Sequence, residues 1–141
     1  MFTLKKIEGG RINVHEPERF LTSAEIKLNQ ALKLVSGKLV DAGDSTPTFI
    51  ALASVKGTTD GVECPVGRIA PNQVYAVPVH KDTNEVSAMV VGTKYPLYKV
   101  DNSYSLKIAS KTSSTATANV AELVDLNGAT KDGDIVYVRF S

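Results

Sequence analysis

The chain has 141 residues, with 16 basic and 15 acidic side chains, one cysteine and no tryptophan. This length suits one domain with a single hydrophobic core, and the net charge of +1 lacks the basic excess of a protein that binds bulk nucleic acid. The lone Cys64 excludes an intrachain disulfide and a thiolate metal cluster. The first ten residues lack a long apolar run, and no stretch approaches the roughly 20 apolar residues of a membrane span, so we expect synthesis in a cytoplasm and no membrane partner.

The first 22 residues show no sustained period and include Gly9-Gly10. Such a segment buries too little surface to offset the entropy of its own ordering, so we predict an extended N-terminal arm over residues 1–22. The alternative is that this arm pairs as an edge strand within its own domain or stays disordered. Residues 23–141 are predicted to form a single β domain, in which a division into two lobes near residues 79–85 stays open.

Two interpretations compete just after the arm. Thr22 and Glu25 have the spacing of a capping box, which would start a helix towards Leu32. Against this, apolar side chains at Ala24, Ile26 and Leu28 alternate with polar ones, and this alternation favours a strand that ends in a turn at residues 29–30.

Residues 32–40 predict a hairpin, because Leu32 and Leu34 share a face and a two-residue turn at Ser36-Gly37 would place Leu39 opposite Leu34. Residues 49–53, Phe-Ile-Ala-Leu-Ala, are apolar on both faces and predict a strand in the centre of the core. Cys64 alternates with two valines and is therefore expected to be a small buried core residue.

The middle of the chain continues at strand spacing. Residues 74–79 predict a strand, which Pro78 should confine to an edge or a bulge because proline cannot donate to a ladder. Residues 87–91 predict another strand, and residues 101–103 a hairpin turn before Leu106. The Ser, Thr and Ala of residues 109–119 suit either a strand or a long loop.

The C-terminal strands are the clearest. Residues 120–125 alternate, turns follow at Asn127-Gly128 and residues 131–134, and residues 135–140 form a final strand with valines on one face. The sequence therefore predicts an all-β fold, a small barrel or sandwich of at least seven strands. The predicted core comprises Leu34, Leu39, Ile50, Leu52, Val66, Val90, Leu123, Val136 and Val138.

No constellation predicts catalysis. His15 and His80 have no second ligand at metal spacing, so neither a metal nor any other cofactor is expected. The carboxylate pairs at residues 16 and 18 and at residues 132 and 134 lie in arm or turn sequence, where solvated charge is the better interpretation. We expect a protein that is not an enzyme.

The order of the pieces in residues 31–69 is distinctive. The hairpin, a loop and the apolar strand are followed by a Gly-Thr-Thr-Asp-Gly turn at residues 57–61 and a Val-x-x-x-Val-Gly-x-Ile run at residues 62–69. This stretch resembles the head decoration proteins of tailed bacteriophages, of the phage lambda type, and related capsid cement and head-fibre proteins. The resemblance implies a β-tulip-like fold and a structural virion protein, made in the host bacterial cytoplasm, that stabilises the shell from its outer surface.

The resemblance also implies partners: the major capsid protein and the protein itself as a homotrimer, with no nucleic acid. We expect the arm to contact the capsid, with two arginines reaching acidic groups between apolar anchors. The expected contact residues are Phe2, Leu4, Ile7, Arg11, Ile12, Val14, Arg19 and Phe20. The alternative function is a monomeric ligand-binding β-domain that recognises a glycan or an oligonucleotide, although the chain has few aromatic residues for it.

Overall fold

The structure is a computed structural model that describes residues 3–7, 17–43, 45–82, 84–99, 106–111 and 119–140. Within these ranges the chain forms thirteen strands and a single 3-10 turn, so the all-β prediction is confirmed. The strands up to residue 68 are β1 (Thr3–Ile7), β2 (Glu18–Thr22), β3 (Glu25–Ile26), β4 (Ala31–Val35), β5 (Lys38–Asp41), β6 (Phe49–Ala51), β7 (Val55–Lys56) and β8 (Val62–Arg68). The later strands are β9 (Gln73–His80), β10 (Lys94–Lys99), β11 (Leu106–Ala109), β12 (Asn119–Asp125) and β13 (Ile135–Phe140), and the 3-10 turn is Val86–Ala88. No helix among the described residues is long and apolar enough to cross a membrane.

Five strands close a small barrel in the order β2-β5-β4-β6-β8. Its hairpin has the predicted form: Leu34 pairs with Leu39, and Ser36 and Gly37 have φ of 49° and 79°, as a two-residue turn with a left-handed backbone requires. Because successive side chains of a strand point to opposite faces, every second side chain points into the barrel. The interior of the barrel is filled by Leu32, Leu39, Phe49, Ala51, Cys64 and Val66, with Ile26 beside them.

The remaining long strands form a second sheet in the order β1-β9-β11-β10-β12-β13. A further pairing of β13 with β9 closes five of these strands into a ring, and β1 lies outside it against β9. The inward side chains form the larger core cluster. Among its members are Tyr75, Val77, Val79, Leu97, Ile108, Leu123, Val136, Val138 and Phe140.

The strand β6 is apolar on both faces because it belongs to both cores. Phe49 and Ala51 point into the small barrel, whereas Ile50 points outward and packs in the larger cluster together with Ala31 and Ala42. The prediction of a central strand is confirmed for residues 49–51. The two rings are therefore joined by packing across the outer face of the small barrel.

The prediction that Pro78 marks an edge strand or a bulge is wrong, since β9 pairs with β1, β11 and β13. The Val79 amide donates to the carbonyl of Asp134, and the Val79 carbonyl accepts from the amide of Gly133, so the backbone of Val79 faces the segment before β13. Because backbone groups of neighbouring residues in a strand point to opposite edges, the nitrogen of Pro78 faces the other edge. On that edge the pairing with β1 ends at Ala76 and the pairing with β11 begins at Val79. Proline thus occupies a gap between two partners, where no donor is required.

Three predicted core residues are exposed. Leu34 lies beside the hairpin turn past the covered part of the barrel, Leu52 follows the last residue of β6, and Val90 lies in the loop after the 3-10 turn, with exposed fractions of 38%, 47% and 60%. The strand predicted over residues 87–91 is wrong, since residues 86–88 form that 3-10 turn. The other predicted core residues are confirmed as buried: Leu39, Ile50, Val66, Leu123, Val136 and Val138.

The N-terminal segment does not stand apart from the domain where it is described. Strand β1 pairs with β9, and β2 pairs with β8 and β5, which would otherwise both have open edges. Residues 3–7 and 18–22 therefore pair as strands within the domain, which was the alternative to a separate N-terminal arm. After β1, which pairs with β9, the barrel strands lie between β2 and β8, and the strands from β9 onwards belong to the second sheet.

The capping-box helix that was the alternative after Thr22 does not form, and residues 25 and 26 form the strand β3 instead. The Thr22 hydroxyl donates to the carbonyl oxygen of Leu39 and accepts from the amide of Ala24, at 2.9 and 3.1 Å. Glu25 then lies in β3, and Asn29 adopts a φ of 65° in the predicted turn. The predicted turn at residues 101–103 and most of the segment 109–119 lie outside the described residues.

Candidate functional site

The expected capsid contacts are divided between the two rings. Leu4 is exposed on β1, which lies against β9 outside the larger ring, and Ile7 ends this strand. Arg19 is exposed on β2 of the small barrel. The structure therefore does not join these residues into one arm. Four other expected contacts, Phe2, Arg11, Ile12 and Val14, lie outside the described residues.

Phe20 is part of the barrel packing. Its ring is half-buried and lies 5.1 Å from the ring of Phe49, tilted by 52°. Phe20 is therefore unavailable as a free anchor for a capsid. A truncation of the first 20 residues would delete most of β2, so it could not separate capsid binding from folding.

Exposed apolar side chains gather instead at the hairpin end of the small barrel. Leu21 pairs with Lys38 on β5, which pairs with Val35 on β4, so these three residues form a row across the outer face. Leu21 and Val35 are 43% and 49% exposed. We call Arg19, Leu21, Leu34, Val35 and Lys38 the hairpin-end surface, since Arg19 precedes Leu21 on this face and Leu34 lies beside the turn.

The lysine in this row is held in place. Lys38 Nζ donates to Ser23 Oγ at 2.9 Å and to the carbonyl oxygen of Thr59 at 3.3 Å. The hairpin-end surface thus combines apolar side chains with two cations: Lys38, which is held by hydrogen bonds, and Arg19, which is exposed on β2. Only Arg19 of this set was among the expected contacts. One sequence signal could have indicated this surface: Leu34 and Val35 stand next to a two-residue turn, where the strands extend beyond the part of the barrel that is covered.

An ion pair joins the first residue of β2 to the last residue of β8, next to Arg19 of the hairpin-end surface. Arg68 donates to Glu18 through Nε and Nη2 at 3.0 and 2.8 Å, and its guanidinium lies 4.9 Å from the ring centroid of Phe49. The hydrogen bond from Arg68 lowers the pKa of Glu18, with a smaller contribution from its charge. This arrangement fastens β2 to β8 over the barrel core, and we assign it a structural role.

A polar cluster lies on the larger ring. Asp132 Oδ2 lies 3.5 Å from Lys107 Nζ, while Oδ1 accepts from the Lys81 amide at 3.1 Å and lies 3.4 Å from His80 Nδ1, without hydrogen-bond geometry. The His80 ring stacks on Tyr98, with centroids 4.1 Å apart and planes 4° apart. Both carboxylate oxygens are occupied from within the chain. The cluster therefore ties the loop before β13 to β9 and β11.

No group of three histidine, cysteine, aspartate or glutamate side chains that could hold a metal ion occurs among the residues with described placement. Cys64 is buried in the barrel, as expected, and burial raises the pKa of its thiol.

The loop before β13 should be sensitive to acid. Backbone amides donate to both carboxylates: Lys81 to Asp132, and Thr130 and Lys131 to Asp134. These hydrogen bonds are the main cause that lowers the pKa of Asp132 and of Asp134. Because the folded-state pKa lies below the unfolded one, the ionised groups stabilise the fold above about pH 4, and this stabilisation is lost as the pH falls through the lowered folded-state values.

We therefore expect the melting temperature of the wild type to decrease as the pH is lowered below about 4. The double variant Asp132→Asn/Asp134→Asn should melt lower than the wild type at pH 7 and at about the same temperature at pH 2. Thermal unfolding followed by circular dichroism from pH 7 to 2 measures both. An equal gap at both pH values would contradict the assignment.

No protein-family model, curated protein or solved structure matches this chain.

Proposed function

We propose that the protein is a structural virion component, without enzymatic activity, that binds the outer surface of an assembled viral capsid and stabilises it. The resemblance of residues 31–69 supports this proposal, and those residues contribute four of the five strands of the small barrel. The observation that carries it is the hairpin-end surface. Several exposed apolar side chains grouped at one end of a small domain are typical of a protein contact site.

The chemistry of this surface suits a protein shell with acidic groups. Leu21 and Val35 supply apolar area on paired strands, where their backbones are already ordered, so little entropy is lost on binding. Arg19 on the same face supplies a projecting cation. Each contact of this size is weak, but repetition over a symmetric shell makes attachment stable.

The test is retention on empty, expanded capsids of the virus that encodes the chain. We expect the wild type to co-sediment with these capsids and the double variant Leu21→Ser/Val35→Ser to lose at least about tenfold in apparent affinity, because both side chains leave the contact. The matched control is Ile135→Ser, an exposed apolar residue of the larger ring, which should be retained like the wild type.

Two results would overturn this proposal. A wild-type protein that does not co-sediment with capsids is not a decoration protein. Retention that survives in the double variant places the contact elsewhere. The alternative, a ligand-binding β-domain, would depend on Tyr98, the one exposed aromatic side chain in the described ranges. Titration with oligosaccharides or oligonucleotides, followed by the NMR signals of Tyr98, tests that function separately.

A further inference from the structure

Glycine follows an aspartate or an asparagine at three places in the chain: Asp60-Gly61, Asn127-Gly128 and Asp132-Gly133. Because glycine has no Cβ, its amide nitrogen can approach the side-chain carbonyl carbon of the residue before it and close a five-membered succinimide ring. The sequence does not rank these pairs. In the fold they differ in the partners of each glycine amide and of each side chain that would be attacked.

The two aspartate pairs are held in the folded chain. The Gly61 amide donates to the carbonyl of Thr58 at 3.0 Å, and the Gly133 amide donates to the carbonyl of Val79 at 2.8 Å. Both nitrogens are therefore engaged as donors, and both carboxylate oxygens of Asp132 are occupied from within the chain. An ionised carboxylate is also a poor electrophile, because its negative charge repels a nucleophile.

The Asn127-Gly128 pair lacks these restraints. The Gly128 amide has no acceptor in the described part of the chain, and the turn is closed instead by the Ala129 amide, which donates to the carbonyl of Leu126 at 2.9 Å. A Cβ built at Gly128 would meet nothing within 4 Å, so the space around this glycine is open. Both residues of the pair are exposed, and the neutral amide of Asn127 is a better electrophile than a carboxylate.

The ends of this turn are fixed while its middle is loosely held. Ala129 is buried in the larger core cluster and Leu126 packs against it. Between them, the side chain of Asn127 makes one long hydrogen bond, in which Nδ2 donates to the carbonyl of Ile135 at 3.3 Å. Ring closure requires rotation about the backbone and side-chain bonds of Asn127, and an exposed residue can make this rotation without displacing the core.

We propose that Asn127 is a site of spontaneous deamidation in the folded protein, a modification independent of the proposed capsid binding. The deprotonated Gly128 nitrogen forms a bond to Asn127 Cγ, and the side-chain nitrogen takes up a proton from water and leaves as ammonia. Water then adds to one of the two ring carbonyls and breaks the bond from that carbon to the ring nitrogen. Addition at Cγ gives aspartate, whereas addition at the main-chain carbonyl of residue 127 gives isoaspartate, with one methylene more in the backbone. No group is oxidised or reduced, and water is the co-reactant.

The modification should weaken the turn before β13. The product has lost the amide donor that bonds the carbonyl of Ile135, and it adds a carboxylate near Asp125, whose Oδ1 accepts from the backbone amide of residue 127 at 2.7 Å. Two like charges then stand at one turn, and the net charge of +1 is lost. The longer backbone of isoaspartate in addition does not fit a two-residue turn. We therefore expect the modified protein to melt a few degrees lower than the fresh protein.

The test is to age the full-length protein in mildly alkaline buffer made with heavy-oxygen water and to follow its peptides by mass spectrometry. We expect Asn127 to convert from amide to acid at least about tenfold faster than exposed Asn84, which precedes a glutamate instead of a glycine. The product should carry one heavy oxygen and be mostly isoaspartate. The rate should rise with pH, because the attacking amide must lose its proton.

The same measurement on the chain unfolded in guanidinium chloride isolates the effect of the fold. At each pair, the rate in the folded protein divided by the rate in the unfolded chain cancels the intrinsic reactivity, and this ratio should be highest at Asn127-Gly128. An Asn127 that stays intact in the folded protein, or a ratio no higher than at the two aspartate pairs, would overturn the proposal. The variant Asn127→Asp reproduces one product, and a wild-type melting temperature for it by circular dichroism would refute the weakening of the turn.

Discussion

We expect the substitution Phe49→Ala to cost about 3–5 kcal/mol of unfolding free energy. Phe49 is 1% exposed in the interior of the small barrel, where it contacts Phe20 and lies under the guanidinium of Arg68. Removal of its ring leaves a cavity that the surrounding strands of a closed barrel cannot collapse to fill. Chemical denaturation in urea measures the loss.

The control for this prediction is Leu52→Ala, three residues along the same segment. Leu52 is 47% exposed, so its truncation should cost less than about 1 kcal/mol. Equal losses for the two variants would mean that the register of β6 is not the one described.

The second large effect is expected at Gly57, where even alanine should cost about 3 kcal/mol or more. A Cβ at this position would lie 2.3 Å from the carbonyl carbon of Ser23 and 2.6 Å from the backbone nitrogen and oxygen of Ala24. These are backbone atoms of the segment between β2 and β3, and the Gly57 amide donates to that same Ala24 oxygen at 3.0 Å. The clash cannot be relieved by a rotamer change, so the segment must move.

The matched control is Gly67→Ala. Its added Cβ would only touch the flexible end of Leu52 at 3.7 Å, so the change in unfolding free energy should stay within about 1 kcal/mol. Urea denaturation of both variants beside the wild type makes the comparison. A Gly57→Ala protein with wild-type stability would show that the close approach to residues 23 and 24 does not exist.

The Gly-Thr-Thr-Asp-Gly turn illustrates the limit of a motif. From the sequence it is turn chemistry that many β-proteins share. In the fold its first glycine is required by the backbone of another segment, and its last has a φ of 97°. The second requirement is local and could be predicted, whereas the first depends on a contact between residues more than 30 positions apart.

Which apolar side chains are covered was also decided by the tertiary structure. Leu34, Leu52 and Val90 have the composition of core residues and two of them share a face with buried ones, yet they lie past the ends of the strands that would cover them. Alternation predicts the face of a side chain but not where its neighbours stop. The hairpin-end surface arises in this way.

By itself the sequence determined the all-β class, the hairpin at Ser36-Gly37 and the alternation of the last strand, because each depends on period-2 patterning and turn residues within about ten positions. Only the tertiary structure decided that β1 and β2 belong to two different sheets, that β9 has three partners and that Ile50 joins the cores. These features are pairings between distant segments. The energy that selects them comes from edges and faces that must be covered, and no local pattern records which segment will cover them.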